Sequence, residues 1–411
     1  MKKLAIIALV VAITAVFAVT ATANEWSLYG SARVDTFYTS QDLGKELELV
    51  PGTNTFIAVD ARDSANQSTV KDLSWNLQSD SRIGATVSGD RLEARFEFSV
   101  ASDGSGGNVG TRRLYGIWKF ADGWGLKVGK DYTPVLFGLS NQVFDTDSNL
   151  WKLGNAYGGR YAQIAVQGEL GPGILKVALI NQFTDTLGQP DGVAETVLPK
   201  FETSYEYKFT NAISMHAFGG YQTYDIKYPA PTPFGGTNSE SVNSWILGMG
   251  GIFNFGPFFA KPQVSYYQNG AAADWLNDNY LPFTKQSFIN DFNGIFGTNI
   301  EPVGSNDVVD AKNLMAMLAL GYKPTESLSI EFGIGYIYYS TDSVQGISVK
   351  NNYLETYLQA AFTLAPSVYI IPEIGYRDFG KAEYDKPFYI AAPDVDLGNL
   401  FYIGAEWRID F

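Results

Sequence analysis

The sequence predicts an all-β chain, sixteen antiparallel strands closed into an up-and-down barrel that crosses a membrane. Three observations predict it. Side chains alternate apolar and polar along most of the chain, the connections between strands alternate between short and long, and a ten-residue strand has the right rise. Ten residues at ~3.3 Å each, tilted by ~45°, rise roughly 23 Å, close to the ~25 Å apolar band of such a barrel. A two-layer sandwich has no reason to sort its connections by length, and rarely needs sixteen strands.

The chain opens with Lys2 and Lys3, an apolar run from Leu4 to Val19, and Ala21-Thr22-Ala23. Basic end, short apolar run and small-x-small site in that order predict a cleaved signal peptide over 1–23, so the folded chain is expected to span 24–411. No later apolar run approaches the length of a membrane-spanning helix, which leaves a barrel or a surface attachment as the route to a membrane. With no cysteine there is neither a disulfide framework nor a thiolate site. Aromatic residues at 15% and 42 glycines suit extended structure. A formal net charge of −14, more negative still once Lys2 and Lys3 are lost, argues against nucleic-acid binding.

Period-2 alternation places strands at 26–40, 70–88, 91–102, 110–121, 123–130, 160–169, 173–184, 199–210, 212–227, 241–254, 256–269, 311–323, 326–341, 350–364, 367–378 and 398–411. In the third, RLEARFEFSV, residues Leu92, Ala94, Phe96, Phe98 and Val100 share one face and Arg91, Glu93, Arg95 and Glu97 the other. The second sets Leu73, Trp75, Leu77, Ile83, Ala85 and Val87 against Asp72, Asn76, Gln78, Asp80 and Arg82, and the eighth sets Phe201 to Phe209 against Lys200, Glu202, Ser204, Glu206 and Lys208. The fourth, sixth and tenth read almost equally well in either parity. Turn residues fill the short connections, such as SGD at 88–90 and FGP at 255–257. On the apolar face, Trp26 and Tyr38, Phe258 and Tyr266, and Phe401 and Phe411 bracket their strands, as two interfacial aromatic girdles would.

The stretches LYGSARVD at 28–35, SRIGATVSGDRLEARFEFS at 81–99, LKVGKDYTP at 126–134 and the ending FYIGAEWRIDF resemble those of Gram-negative general porins. That resemblance implies an outer-membrane trimer with short periplasmic turns, long extracellular loops, contact with lipid and lipopolysaccharide, and a C-terminal strand, ending in Phe411, read by the assembly machinery. It also implies a third loop, here 131–159, folded into the pore. Asp145 and Asp147 would then be loop acids opposed by Arg33, Arg82 and Arg95 on the wall, with Arg160 joining them. The Pro-Glu-Phe-Gly-Gly type of loop signature is lacking here, and the segment 270–310, expected as a long extracellular loop, is longer than usual for the family.

The expected function is passive diffusion of small hydrophilic solutes and ions, with no cofactor and no catalysis. Most of the acidic excess lies in the long connections, and an acidic vestibule would weakly favour cations. The acids of 270–310 could hold divalent ions, although they lack calcium-loop spacing. Two alternatives stay open, a solute-specific channel and an adhesin or scaffold barrel with a plugged pore. Ser214 and His216 share a face of one strand, but no orienting acid or oxyanion hole accompanies them, so an enzyme is not expected.

Overall fold

The computed structural model describes residues 25–49, 56–100, 109–187, 192–227, 239–277, 283–284, 307–385 and 393–411. The strands are β1 (Glu25–Asp42), β2 (Thr69–Leu77 and Arg82–Ser88), β3 (Leu92–Val100), β4 (Val109–Ala121), β5 (Trp124–Tyr132), β6 (Arg160–Leu170), β7 (Gly173–Ile180) and β8 (Lys200–Lys208). They continue with β9 (Ile213–Lys227), β10 (Ser239–Phe255), β11 (Phe258–Gln268), β12 (Ala311–Thr325), β13 (Leu328–Thr341), β14 (Ser348–Ala365), β15 (Val368–Asp378) and β16 (Asn399–Asp410). Each pairs antiparallel with its neighbours in sequence, and β1 closes the circle on β16 from Ser31↔Asp410 to Asp42↔Asn399. The result is the closed sixteen-stranded barrel that the alternation predicts. Phe411 extends the closing ladder, its N–H donating to the Gly30 carbonyl at 3.0 Å and its carbonyl accepting from Gly30 N at 2.6 Å. Its ring lies over Gly30, where an added Cβ would come within 2.3 Å of it.

The outward face is apolar. Leu73 and Trp75 are 66% and 74% exposed, and Leu92, Ile164, Leu247 and Leu358 stand out in the same way. Such a surface suits an apolar environment, because a water-exposed belt of this extent would associate or aggregate. Trp26, Tyr38, Phe258, Tyr266, Phe401 and Phe411 all lie on it.

Away from the hairpin ends, two irregularities break the simple alternation among the described residues. Strand β2 is not continuous over 70–88. Val34 pairs with Leu77 and Ser31 with Arg82, so Gln78, Ser79, Asp80 and Ser81 stand opposite only Ala32 and Arg33. An insertion of two residues restores the outward face beyond it and crowds polar side chains inward. In β4 the register slips by one between Glu97↔Arg113 and Phe98↔Thr111, and this bulge turns both Arg112 and Arg113 to the interior. Strand β7 ends at Ile180, short of the expected 184, and a tight turn at Phe144–Asp147 interrupts the chain that follows β5.

The interior is not uniformly polar. One apolar cluster joins Val135, Leu153 and Ala156 to Phe218, Ile246, Tyr267, Trp275, Leu276, Met315 and Ile337; a second joins Leu139, Val143, Phe144 and Leu150 to Phe37, Tyr357 and Tyr402. Both form where chain from 133–159 and 269–277 lies against the inner wall. Hence the tenth strand reads ambiguously, while the bulge at Arg112–Arg113 blurs the fourth. In β10, Val242 and Ile246 face inward yet are fully buried.

Candidate pore constriction

Residues 133–159 leave β5 and run along the inside of the barrel. Their backbone N–H groups donate to inward carboxylates on successive strands: Val135 to Glu202 of β8 at 3.2 Å, Asn141 to Glu331 of β13 at 2.8 Å, and Val143 and Phe144 to Glu373 of β15 at 2.8 and 3.3 Å. Gln142 donates to Glu355 of β14 and, at 2.9 Å, to the Tyr402 hydroxyl of β16. Glu202, Glu331, Glu355 and Glu373 are each at most 2% exposed beneath this chain. A buried carboxylate is costly unless hydrogen-bonded, so these four serve as fixed acceptors for a loop that has no ladder of its own. Backbone meets backbone at one point. A Cβ on Gly335 of β13 would come within 2.0 Å of the Leu153 carbonyl, and one on Gly154 within 2.7 Å of Gly335.

The tip carries the two predicted acids. Asp145, Thr146 and Asp147 all have left-handed backbone, φ 56°, 65° and 53°. This turn sends the acids to different strands. Asp147 pairs with Arg33 of β1 and accepts from Gln78 at 3.0 Å, while Asp145 pairs with Arg377 of β15 at 3.0 Å. Between them Phe144 stacks on Tyr402 at 3.7 Å, with the Arg377 guanidinium 4.9 Å from its ring centre. Gln78 also donates to Asp35 and Glu406, so the β2 insertion supplies the hub of this network.

The other predicted residues sit elsewhere. Arg82 and Arg95 lie 4.0 and 3.1 Å from Glu97 rather than from the loop acids, and Arg95 also donates to the Tyr29 hydroxyl at 2.7 Å. Arg160 reaches Tyr132, its guanidinium 5.3 Å from the ring centre. Sequence reasoning missed Arg377, Arg112 and Arg113. Arg377 follows the inward parity of Glu373 and Gly375 and was readable from it; Arg112 and Arg113 are adjacent, and strict alternation sends one of them outward.

The remaining arc, β3–β7, is left uncovered. Among the described residues no hydrogen bond or ion pair joins 133–158 to these strands. Inward on this arc and the adjoining β2 stand Arg82, Arg95, Arg112, Arg113, Lys127 and Lys176, with Asp80, Glu97 and Asp131 as counter-charges. Arg112 bridges Asp80 and Glu97; Arg113 and Lys127 both hold Asp131 at 2.6 Å. Lys176 has no carboxylate within ion-pair distance among the described residues. The covered arc is rich in acids, the open one in bases.

His216 is buried against Phe137, ring on ring at 4.4 Å, and both its nitrogens lack a protein partner. Ser214 is not bonded to it, so no catalytic pair forms there. No cluster of metal-ligating side chains occurs among the described residues. Asp278, Asp291 and Glu301, three of the acids of 270–310 read above as possible ion ligands, lie outside them. Asp274 instead pairs with Lys152, and Asp310 accepts from Asn269 at 2.7 Å.

No family model and no curated protein matches the chain. Solved structures do. The outer-membrane channel DcaP of Acinetobacter baumannii superposes with a TM-score of 0.66 at 13% identity, covering 95% of this chain and 99% of that one. The anion-selective porin of Comamonas acidovorans gives 0.56 at 13% identity over 94% and 100% of the two chains. OmpT of Vibrio cholerae, an outer-membrane protein, gives 0.52 at 16% over 95% and 99%. At these identities the likeness is one of fold, and the fold is that of the outer-membrane porins.

Proposed function

We propose that this porin-fold barrel is an outer-membrane channel for passive diffusion of small hydrophilic solutes and ions, and that the segment 131–159 is its constriction. The observation that carries the reading is the asymmetric interior. One arc is sealed by a loop anchored on buried glutamates, and the opposite arc is an uncovered row of cationic side chains. Solutes pass along that row, sieved by the loop edge and oriented by the wall charges. Arg33 and Asp147, with Arg377 and Asp145, hold the loop; Arg82, Arg95 and Arg160 meet the solute.

The loop charges alone predict a cation preference, but Glu202, Glu331, Glu355 and Glu373 lie beneath the loop and the acids at its tip are paired. The excess of basic over acidic side chains on the open arc supports the opposite preference, for small anions. A neighbour of the same fold is named for anion selectivity. Salt-gradient reversal potentials in a planar bilayer test this. A zero-current potential shifted toward the chloride equilibrium value is expected; one shifted toward potassium excludes it.

A homotrimer belongs to the proposal, supported by a trimer form of the Vibrio cholerae protein. So do the outer-membrane lipid surroundings, the contact with lipopolysaccharide and recognition of the Phe411 strand by the assembly machinery. No catalysis is proposed, consistent with the isolation of His216 from Ser214. The two apolar clusters inside the barrel favour one second reading, a plugged scaffold, and stepwise single-channel current separates it from a channel.

A further inference from the structure

The chain leaving β11 does not rise straight out of the barrel as a surface loop. Residues 269–277 fold back inside it, where Ala271, Ala272, Ala273, Trp275 and Leu276 have no exposed surface. These residues begin the segment 270–310 that the sequence predicts as a long extracellular loop. Three inward side chains grip the segment. Lys200 of β8 donates to the Ala273 carbonyl at 3.1 Å, Gln222 of β9 donates to that of Ala272 at 3.0 Å, and Glu202 accepts from the Trp275 indole at 2.9 Å.

The wall is shaped for this occupant. Gly220 of β9 lies under the indole, where an added Cβ would approach the ring to 2.7 Å. Asn269 fixes the point where the segment leaves the wall, exchanging hydrogen bonds with Ala311 at 2.7 and 2.8 Å and donating to Asp310. Lys200 is itself fully buried, a position a lysine occupies only when it is held by a partner. Asp274 then turns toward the pore side. It pairs with Lys152 of the 133–159 segment and accepts from the Tyr161 hydroxyl of β6. A cavity of about 320 Å³ at the mouth is lined by Asp274 together with Arg112, Tyr157 and Arg160.

We propose that residues 269–277 are a second constriction element, a specificity-determining plug seated by Trp275 that sets the size of the passage together with the 133–159 loop. The inference rests on the channel reading above. Each segment closes part of the lumen, and the Lys152–Asp274 bridge joins their edges. Apolar side chains face the wall while one carboxylate faces the passage, so the segment narrows the pore without making its lining greasy. A widened pore follows if the anchor is lost.

Because the chain has no cysteine, an engineered one reports cleanly. In the full-length protein, A273C is expected to react with a membrane-impermeant thiosulfonate on the order of 10²-fold more slowly than S64C on an exposed loop. Equal rates would overturn the insertion. W275A, and a second variant with residues 271–276 replaced by a Gly/Ser stretch of equal length, should raise single-channel conductance on the order of 1.5-fold and admit larger sugars in liposome swelling. Unchanged conductance and size limit in both variants would overturn the constriction role. Should the unmodified protein carry no current, the channel reading fails, whereas the protection of A273C still reports the insertion.

Discussion

Arg33 shows how much a single side chain can hold. It is 4% exposed, pairs with Asp147, lies 3.8 Å from Glu406 and has Asp35 on its own strand. Replacing it with Ala leaves three carboxylates crowded around Gln78, with Arg408, 3.5 Å from Glu406, as the remaining counter-charge. Removing one partner of a buried pair costs about 3–5 kcal/mol, so R33A should lower the denaturation midpoint markedly and loosen the loop tip. Cleavage of the 133–159 segment by added protease, absent in the parent, is the expected result. Arg82→Ala should differ, since its side chain is 26% exposed and its contact with Glu97 is long. Stability is expected to change by less than about 1 kcal/mol, with the effect appearing as reduced anion preference in reversal potentials. The two residues looked alike in the sequence, both inward arginines on early strands. Which of them meets the loop depended on the β2 insertion, and nothing in local alternation announces that.

At the scale of the element, the strands were legible and the inserted segments were not. Alternation identified sixteen strands because each lies between lipid and a different medium, and that contrast is written into every second residue. A loop docked on the inner wall carries no such period. Its anchors are backbone N–H groups, which every residue has, and its acceptors are glutamates that read as ordinary lumen charges. Glu331 and Glu373 look like solvated acids in the sequence, yet they lie beneath Asn141 and Val143. The Gly154–Gly335 contact gives this docking a direct test. Gly335→Val inserts a side chain where the Leu153 carbonyl now sits. The barrel should still fold, as judged by heat-modifiable migration, while the loop moves off the wall into the passage and single-channel conductance falls to roughly half. An unchanged conductance would mean that the loop does not rest there.

For the whole molecule, the central feature is the division of the interior into two arcs. The covered arc takes in much of the acid on the wall and is packed with apolar side chains from two inserted segments; the open arc leaves Arg82 and Arg95 partly exposed, while Arg112 is buried between Asp80 and Glu97. The acids of the long connections favour cations at the mouth, whereas the bases of the open arc favour anions within the barrel. Burial decides which charges a passing ion feels, since a carboxylate already satisfied by N–H donors and shielded by protein contributes little to the field in the water path. The barrel, its lipid face and its sixteen strands followed from the sequence because they depend on pattern. The polarity of the passage depends on tertiary contacts, and those lie beyond any pattern.

The measurement that tests this division most directly is the reversal potential of single channels in a planar bilayer under a potassium chloride gradient, compared between the parent protein and the double variant Arg95→Gln, Lys127→Gln. Stepwise current is expected, with a zero-current potential displaced toward that of chloride in the parent and displaced less, or reversed, in the variant. No current, or a parent value on the potassium side that the variant leaves unaltered, would contradict it.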